Sequence, residues 1–111
     1  MTIIVSNIIP RKQVEAAQVG QYTAQGCKTI IDKFTITNTG AANVSFTCNL
    51  VASGGNPNAA NTVLYNRVVT PGETYTCPEL VGQVLEPGGF ISTLASLAGY
   101  LTLSASGREI T

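Results

Sequence analysis

The 111-residue sequence contains no histidine and no tryptophan, and only 11% of its residues are charged. The absence of histidine excludes Ser-His-Asp and Cys-His catalytic arrangements and every zinc site that needs a histidine ligand. An average soluble domain has roughly 25% charged residues, so this chain is poor in charge rather than in apolar residues. We therefore expect a surface made mostly of Thr, Ser, Asn and Gln.

Positive charge is also not concentrated anywhere. Six basic and six acidic residues give a formal net charge of zero, and the basic residues are scattered apart from Arg11-Lys12. Proteins that bind nucleic acid or anionic membranes normally concentrate positive charge on one surface. We expect neither partner.

No segment reaches the roughly 18 uninterrupted apolar residues that span a bilayer, and the apolar start MTIIVSNIIP does not have the order of a secretion signal. We expect synthesis in the cytoplasm.

The length suits one domain, and the cysteines suit a reducing compartment. A chain of 111 residues falls within the usual size range of a single domain. Cys27, Cys48 and Cys77 are an odd number at wide spacings, which predicts reduced thiols rather than a disulfide framework. Cys48 lies between Phe46 and Leu50 and is predicted to be a small core residue.

Apolar and polar residues alternate with a period of two from residue 28 onward. In KTIIDKFTITNTG this pattern places Ile30, Phe34 and Ile36 on one face, with Asp32 near an exposed end. In NVSFTCNLV the apolar face is Val44, Phe46, Cys48 and Leu50. The polar stretch NTGAAN between these strands predicts a β-hairpin over 29–51, with Gly40 available for positive φ.

The rest of the chain continues this pattern. ASGGNPNAAN, residues 52–61, predicts a loop that crosses between sheets or contacts a partner. TVLYNRVVT, ETYTC, FISTLAS and GYLTLSASG predict strands separated by Pro-Gly turns, and in the last of these Leu101, Leu103 and Ala105 share the apolar face. We expect an all-β fold, an antiparallel β-sandwich of jelly-roll type, with an immunoglobulin-like sandwich as the alternative.

Two regions are predicted along the chain. Residues 27–111 form the sandwich domain. Residues 1–26 form an N-terminal arm or edge segment, in which RKQVEAAQVGQYTAQG, residues 11–26, is either a short helix or an extended stretch.

One segment, TPGETYTCPELVG, brings together side chains that could support catalysis. Glu73 and Glu79 could be read as the two carboxylates of a glycosidase, but Glu73 follows a Pro-Gly turn and no aromatic platform accompanies the pair. Cys77 has no basic neighbour in sequence that would stabilise a thiolate. We interpret the segment as a turn, a strand and a proline stop, and expect no catalytic residue, metal site, cofactor or small-molecule substrate.

Four stretches carry a resemblance to a known family: YTAQGCKTIIDKFTITNTG, VSFTCNLVASGG, TPGETYTCPELVGQVLEPGGFIS and LTLSASGREIT. Together they cover most of residues 22–111. The sequence resembles the capsid decoration proteins, called staple or cement proteins, of epsilon15-like short-tailed bacteriophages, and the related cement protein of Bordetella podoviruses. The run PGETY, CPELVG and PGGFIS is the most specific part.

The resemblance implies a function on the virion. It implies a jelly-roll sandwich that binds the outer surface of an icosahedral capsid, as a homodimer across local two-fold positions, and staples neighbouring major capsid protein subunits. No enzymatic activity belongs to that family. A head-fibre or tail-associated receptor-contact module is the alternative function.

The apolar N-terminus is the candidate interface. Ile3, Ile4, Ile8 and Ile9 precede Pro10 and are predicted to form an arm or edge strand that pairs with coat protein or with a second copy. The alternative is that this stretch is the first strand of the domain's own sheet. The candidate interface residues are Ile3, Ile4, Ile8, Ile9, Arg11 and Lys12.

Overall fold

The computed structural model of the protein describes residues 1–111, which form nine β-strands and one turn of 3-10 helix. The helical turn, Ala59–Asn61, lies between β4 and β5. No helix in the structure has the length and apolar character needed to cross a membrane. The strands are β1 (Ile3–Gln13), β2 (Val19–Thr23), β3 (Lys28–Asn38), β4 (Val44–Val51), β5 (Thr62–Val69), β6 (Thr74–Tyr75), β7 (Val84–Leu85), β8 (Phe90–Ala95) and β9 (Leu101–Ile110).

The strands form two sheets with nested pairing. The first sheet has the order β1-β9-β3-β6, with β7 also paired to β3, and the second has the order β2-β8-β4-β5. The antiparallel pairs β1–β9, β2–β8, β3–β6 and β4–β5 lie one inside the next along the chain. One long hairpin rolled into two sheets gives this nesting, which is the jelly-roll arrangement. The predicted all-β sandwich is confirmed.

The core lies between the inner faces of the two sheets. Phe34 from the first sheet and Phe46 from the second are fully buried, with ring centroids 6.3 Å apart. Leu101, Leu103 and Ala105 are buried on β9, which confirms the predicted apolar face. Burying each large apolar side chain contributes roughly 1.5–3 kcal/mol, so this shared core is what holds the sheets together.

Strand β3 departs from the predicted alternation because it contains a bulge. The register with β9 shifts between Ile31 and Lys33, so the buried parity changes within the strand. Ile31 is fully buried, whereas Ile30 lies on the outer face and is only partly buried. The prediction that Ile30 shares the core face of Phe34 is wrong. Asp32 lies within the strand, at the bulge, and not near an exposed end.

The predicted hairpin over 29–51 is also wrong, because β3 and β4 belong to different sheets. The connection between them crosses the edge of the sandwich. Asn38, 1% exposed, fixes this crossing. Its Nδ2 donates to the carbonyls of Ala42 and Val69, each at 2.8 Å, and its Oδ1 accepts the Gly40 N–H at 2.9 Å. Three hydrogen bonds of one buried side-chain amide thus hold the connection between the two sheets in place.

Gly40 is required for space rather than for positive φ. It is not among the residues with positive φ. A Cβ at this position would overlap Cδ2 of Tyr100 and would lie 2.9 Å from Cγ of the same ring. The ring therefore packs directly against the glycine backbone.

Residues 1–26 contribute one edge strand to each sheet, β1 and β2. Residues 11–26 form no helix, so the extended alternative is the correct one. From this region Ile8, Ile9, Val14 and Ala24 belong to the same core as the rest of the chain. The arm alternative for the first nine residues therefore gives way to a strand of the domain's own sheet.

Residues 52–61 do not cross between sheets, because they join the neighbouring strands β4 and β5 of the second sheet. Within them Asn58 and Asn61 cap the helical turn reciprocally. Asn49 on β4 holds the segment against the outer face of the sheet: its Nδ2 donates to Asn58 O at 3.0 Å and to Thr62 Oγ1 at 2.9 Å. The segment is thus fixed over the second sheet.

We predict that Gly40→Ala lowers the free energy of unfolding by about 1–3 kcal/mol, because the added methyl group overlaps the Tyr100 ring. Gly20→Ala is the matched control, since its Cβ would meet only Phe90 Cδ2 at 3.8 Å. Urea denaturation of both variants measures the difference. Equal stability of the two variants would contradict the packing argument.

Candidate functional site

Five apolar side chains share one end of the outer face of the first sheet. Residues directly opposite each other in an antiparallel sheet point to the same face. The registers place Val5 opposite Arg108, Arg108 opposite Ile30, and Ile30 opposite Val84. These four residues form a row that crosses the strands β1, β9, β3 and β7. Ile3 and Ile110 face each other two residues away. The outer patch comprises Ile3, Val5, Ile30, Val84 and Ile110.

The outer patch is unusually exposed for apolar residues in a sheet. Val5 is 77% exposed, Ile3 53% and Val84 46%, while Ile30 and Ile110 are partly buried. Contiguous exposed apolar surface marks sites where a protein contacts another protein or a ligand. The outer patch is therefore the strongest candidate for a protein contact surface.

Two ion pairs lie within and beside the outer patch: Arg108 stands between Val5 and Ile30, and Lys28 stands opposite Ile110. Arg108 Nε lies 3.1 Å from Asp32 Oδ2, and Arg108 Nη2 lies 3.0 Å from Asp32 Oδ1. Lys28 Nζ lies 3.6 Å from Glu86 Oε1. Exposed pairs of this kind contribute roughly 0–1 kcal/mol to stability. Their main effect is that the outer patch and its surroundings carry little net charge.

The structure separates the four isoleucines predicted as interface residues. Ile8 and Ile9 are 6% and 1% exposed and belong to the core, so neither presents a free side chain. Ile3 lies in the outer patch. Ile4 is 51% exposed but lies opposite Glu109, on the other face of the sheet.

Arg11 lies in the irregular stretch of β1 between Ile9 and Lys12, and the Arg11-Lys12 pair is roughly 20 Å along the strand from Val5 at about 3.3 Å per residue. Arg11 is exposed, whereas Lys12 Nζ contacts Glu15 Oε2 at 2.9 Å. This contact, together with a hydrogen bond from Gln21, holds the pKa of Glu15 below its ordinary value. Lys12 thus has an intramolecular partner, and the structure does not bring this pair near the outer patch.

Strand β1 is an edge strand whose far side has no partner. Its register shifts between Ser6 and Ile9 and again between Ile9 and Lys12, and Pro10 lies in the second irregular stretch. Bulges and proline obstruct the addition of another strand. The longest stretch in regular register with β9 is Ile3–Ser6, and this stretch carries two outer-patch residues.

Four residues of the outer patch were missed by the sequence analysis. Val5 could have been added from the sequence, because it lies two positions from Ile3 and therefore on the same face of a strand. Ile30, Val84 and Ile110 come from three other strands. Their convergence depends on pairing partners that alternation alone does not identify.

The segment TPGETYTCPELVG forms a short strand, Thr74–Tyr75, between turns. Arg67 Cζ lies 4.2 Å from the centroid of the Tyr75 ring, and Arg67 Nη2 lies 3.5 Å from Glu73 Oε2. The Tyr75 hydroxyl donates to Glu79 Oε1 at 2.6 Å. We call these four residues the edge cluster. It joins β5 of the second sheet to β6 of the first.

The two carboxylates of the edge cluster are held in their ionised form. Glu73 accepts the N–H of Thr70 at 2.9 Å, which lowers its pKa, and the Tyr75 hydroxyl lowers the pKa of Glu79. The same bond raises the pKa of Tyr75 to about 12. A glycosidase acid needs a carboxyl group with a raised pKa. The geometry therefore supports a structural role for this pair.

All three cysteines are free and buried. Cys48 belongs to the core, as predicted. Burial raises the pKa of Cys77 to about 12, and burial also raises the pKa of Cys48. A thiol is nucleophilic only as thiolate, so these environments disfavour reactivity. The structure contains no group of three or more His, Cys, Asp or Glu side chains that could hold a metal ion.

Comparisons with known proteins identify a shared fold. No protein-family model matches the chain, and no curated protein matches it. A chain in the structure of the Gx strain of infectious bursal disease virus is similar, with a TM-score of 0.53 and 14% identity, over 97% of this chain and 30% of that chain. A chain in the crystal structure of the VP2 subviral particle of infectious bursal disease virus is similar, with a TM-score of 0.50 and 12% identity, over 98% of this chain and 32% of that chain. This chain thus spans about a third of the length of these viral chains, and identities this low show the fold alone.

The raised pKa of Cys77 predicts a loss of stability in alkali. The unfolded thiol loses its proton near pH 9.0, whereas the folded thiol keeps it until about pH 12. The contribution of Cys77 to the free energy of unfolding is therefore fully present below pH 9.0 and is lost as pH rises toward about 12. Over this range the free energy of unfolding falls by up to about 1.4 kcal/mol per pH unit for one thiol.

Urea unfolding at a series of pH values tests this expectation. Cys77→Gly removes the thiol and suits the positive φ of 46° at this position, so it should reduce the slope. An unchanged slope in this variant would show that Cys77 does not contribute.

Proposed function

We propose that the protein is a structural component of a virion. It binds the outer surface of an icosahedral capsid and staples neighbouring major capsid protein subunits, stabilising the shell against the pressure of the packaged genome. The observation that carries the proposal is the outer patch, an exposed apolar surface with paired charges around it. Two further observations support it: the sequence resembles capsid decoration proteins, and the fold is shared with chains from a virus and from a VP2 subviral particle.

The size of the outer patch fits a contact that is repeated many times. A stable interface between two proteins typically involves 20–30 residues a side. Five residues on one sheet face form a weaker contact by that measure. A shell holds many copies of each site, and a few kcal/mol per copy adds up when every copy must detach before the shell opens.

A homodimer at the edge of β1 extends the proposal. The regular stretch Ile3–Ser6 lies beside the outer patch on an edge that has no partner strand. Antiparallel pairing of this stretch with the same stretch of a second copy is compatible with two-fold symmetry. Such a dimer would join two outer patches into one larger surface.

A receptor-contact module of the virion is the second candidate function. The observation that favours it is the open groove on the outer face of the second sheet, beside residues 57–66. That face points away from the outer patch, so a protein attached by the first sheet would present it to the surroundings.

We predict that Val5→Asp weakens binding to shells at least about ten-fold, because a carboxylate replaces the most exposed apolar side chain of the outer patch. Val68→Asp is the matched control: Val68 is 49% exposed on β5 of the other sheet. Co-sedimentation of each variant with shells that lack the protein measures binding, and circular dichroism checks folding. Equal binding by the two variants would contradict a contact through the outer patch.

Copy number and heat resistance distinguish the two functions. Decoration predicts many copies on each particle and genome release at a higher temperature than in undecorated particles. A handful of copies at one vertex would favour receptor contact. Many copies without later genome release would contradict a stapling role.

A further inference from the structure

The outer face of the second sheet carries an open groove with a volume of about 670 Å³. This volume falls within the range of roughly 300–1,000 Å³ that is typical of ligand sites. Thr47 and Asn49 of β4 and Leu94 of β8 form its floor, Gln18 lies on one side, and Tyr65 and Asn66 of β5 lie on the other. We call it the amide groove.

The amide groove continues into a second depression of about 320 Å³, which shares Thr47, Asn66 and Leu94 with it. The two depressions together form an elongated surface along β4 and β8. A site of this shape suits a chain-like ligand better than a compact one.

None of the ten residues that line the amide groove is charged. Sites for phosphate or carboxylate use Arg, Lys or clustered N–H donors, because an anion must be compensated when it leaves water. The nearest basic residue in sequence, Arg67, is already engaged with Tyr75 and Glu73. The ligand that matches this groove is therefore neutral.

Several polar groups in the groove are fixed in position and keep unused hydrogen-bonding capacity. Gln18 Nε2 donates to Ser92 Oγ at 2.7 Å, which leaves Oε1 as an acceptor without a protein partner. Asn66 Oδ1 accepts from Thr47 Oγ1 at 3.3 Å, which leaves Nδ2 as a donor. The Tyr65 hydroxyl has no hydrogen bond within the protein. Donors and acceptors thus stand side by side around an aromatic ring.

The backbone is irregular where these groups meet. The register between β4 and β5 shifts between Phe46 and Cys48, and Asn66 at this irregularity has φ of 48°. Thr47 holds it there, because its Oγ1 accepts the Asn66 N–H at 3.0 Å. The bulge leaves the Tyr65 side chain 75% exposed beside the groove. Asn adopts this left-handed conformation more readily than most other residues, and here it places the Asn66 amide at the groove.

We propose that the amide groove binds a neutral glycan, with the Tyr65 ring against a sugar face and the amides of Gln18 and Asn66 on sugar hydroxyl groups. Each hydroxyl group of a sugar both donates and accepts, which matches paired amide acceptors and donors. The C–H bonds of a pyranose ring form an apolar face that packs on an aromatic ring. The inference does not depend on how the protein is attached to a particle.

The test uses the full chain and a panel of neutral tetrasaccharides built from glucose, mannose, galactose or N-acetylglucosamine, with sialyllactose and a heparin tetrasaccharide as anionic controls. Two-dimensional ¹⁵N NMR titration follows the side-chain amide signals of Gln18 and Asn66. At least one neutral glycan should shift both signals, with a dissociation constant below about 1 mM. The anionic glycans should shift neither.

Two variants separate the groove from non-specific contact. Tyr65→Ala removes the ring, and Asn66→Gly removes the amide but keeps a residue that tolerates φ of 48°. Each should weaken binding at least about ten-fold, whereas Val68→Ala, outside the groove on the same strand, should leave binding unchanged. The proposal is overturned if no neutral glycan in the panel binds, if the anionic glycans bind equally well, or if both groove variants bind like the unaltered protein.

Discussion

The pairing of the first strand with the last is the interaction on which the rest of the structure depends. The β1–β9 pair encloses all the other nested pairs along the chain, and β9 in turn pairs with β3 at the centre of the first sheet. Through β1 it brings Ile8 and Ile9 into the core, and through its register it aligns Ile3 and Val5 with the apolar residues of three other strands. Stability and the proposed contact surface therefore arise from the same set of hydrogen bonds.

The two outer faces of the sandwich differ in chemistry although the chain carries little charge. The first sheet presents aliphatic side chains beside paired ions, and the second presents amides, hydroxyl groups and one exposed tyrosine. Because the sheets pack face to face, these surfaces point in opposite directions. A protein built this way can attach by one face and remain open on the other, without a second domain.

Alternation in the sequence predicted the strands that pair regularly, and it failed where the backbone departs from regularity. β4 and β9 have the predicted buried faces at Phe46, Cys48, Leu101 and Leu103 because the extra residues of the bulges lie on their partner strands, so β4 and β9 themselves keep a period of two. In β3 the bulge at Asp32 exchanges the faces, which sequence alternation cannot show. The crossing after Asn38 looks like a hairpin turn locally, and only the buried bonds to Ala42 and Val69 make it a link between sheets. The candidate site was found only in part for the same reason, since its members meet through pairing across distant strands.

The position of the outer patch on β1 makes the folded state and the bound state interdependent. A molecule in which β1 has detached from β9 lacks the row that joins Val5 to Ile30 and Val84, so it has lost the surface by which it would bind. By mass action, a partner that binds only the docked form also holds β1 in place. With the outer patch as the proposed capsid contact, incompletely folded copies would be excluded from the assembly by the geometry of the surface itself, and incorporated copies would resist local opening of the β1 edge.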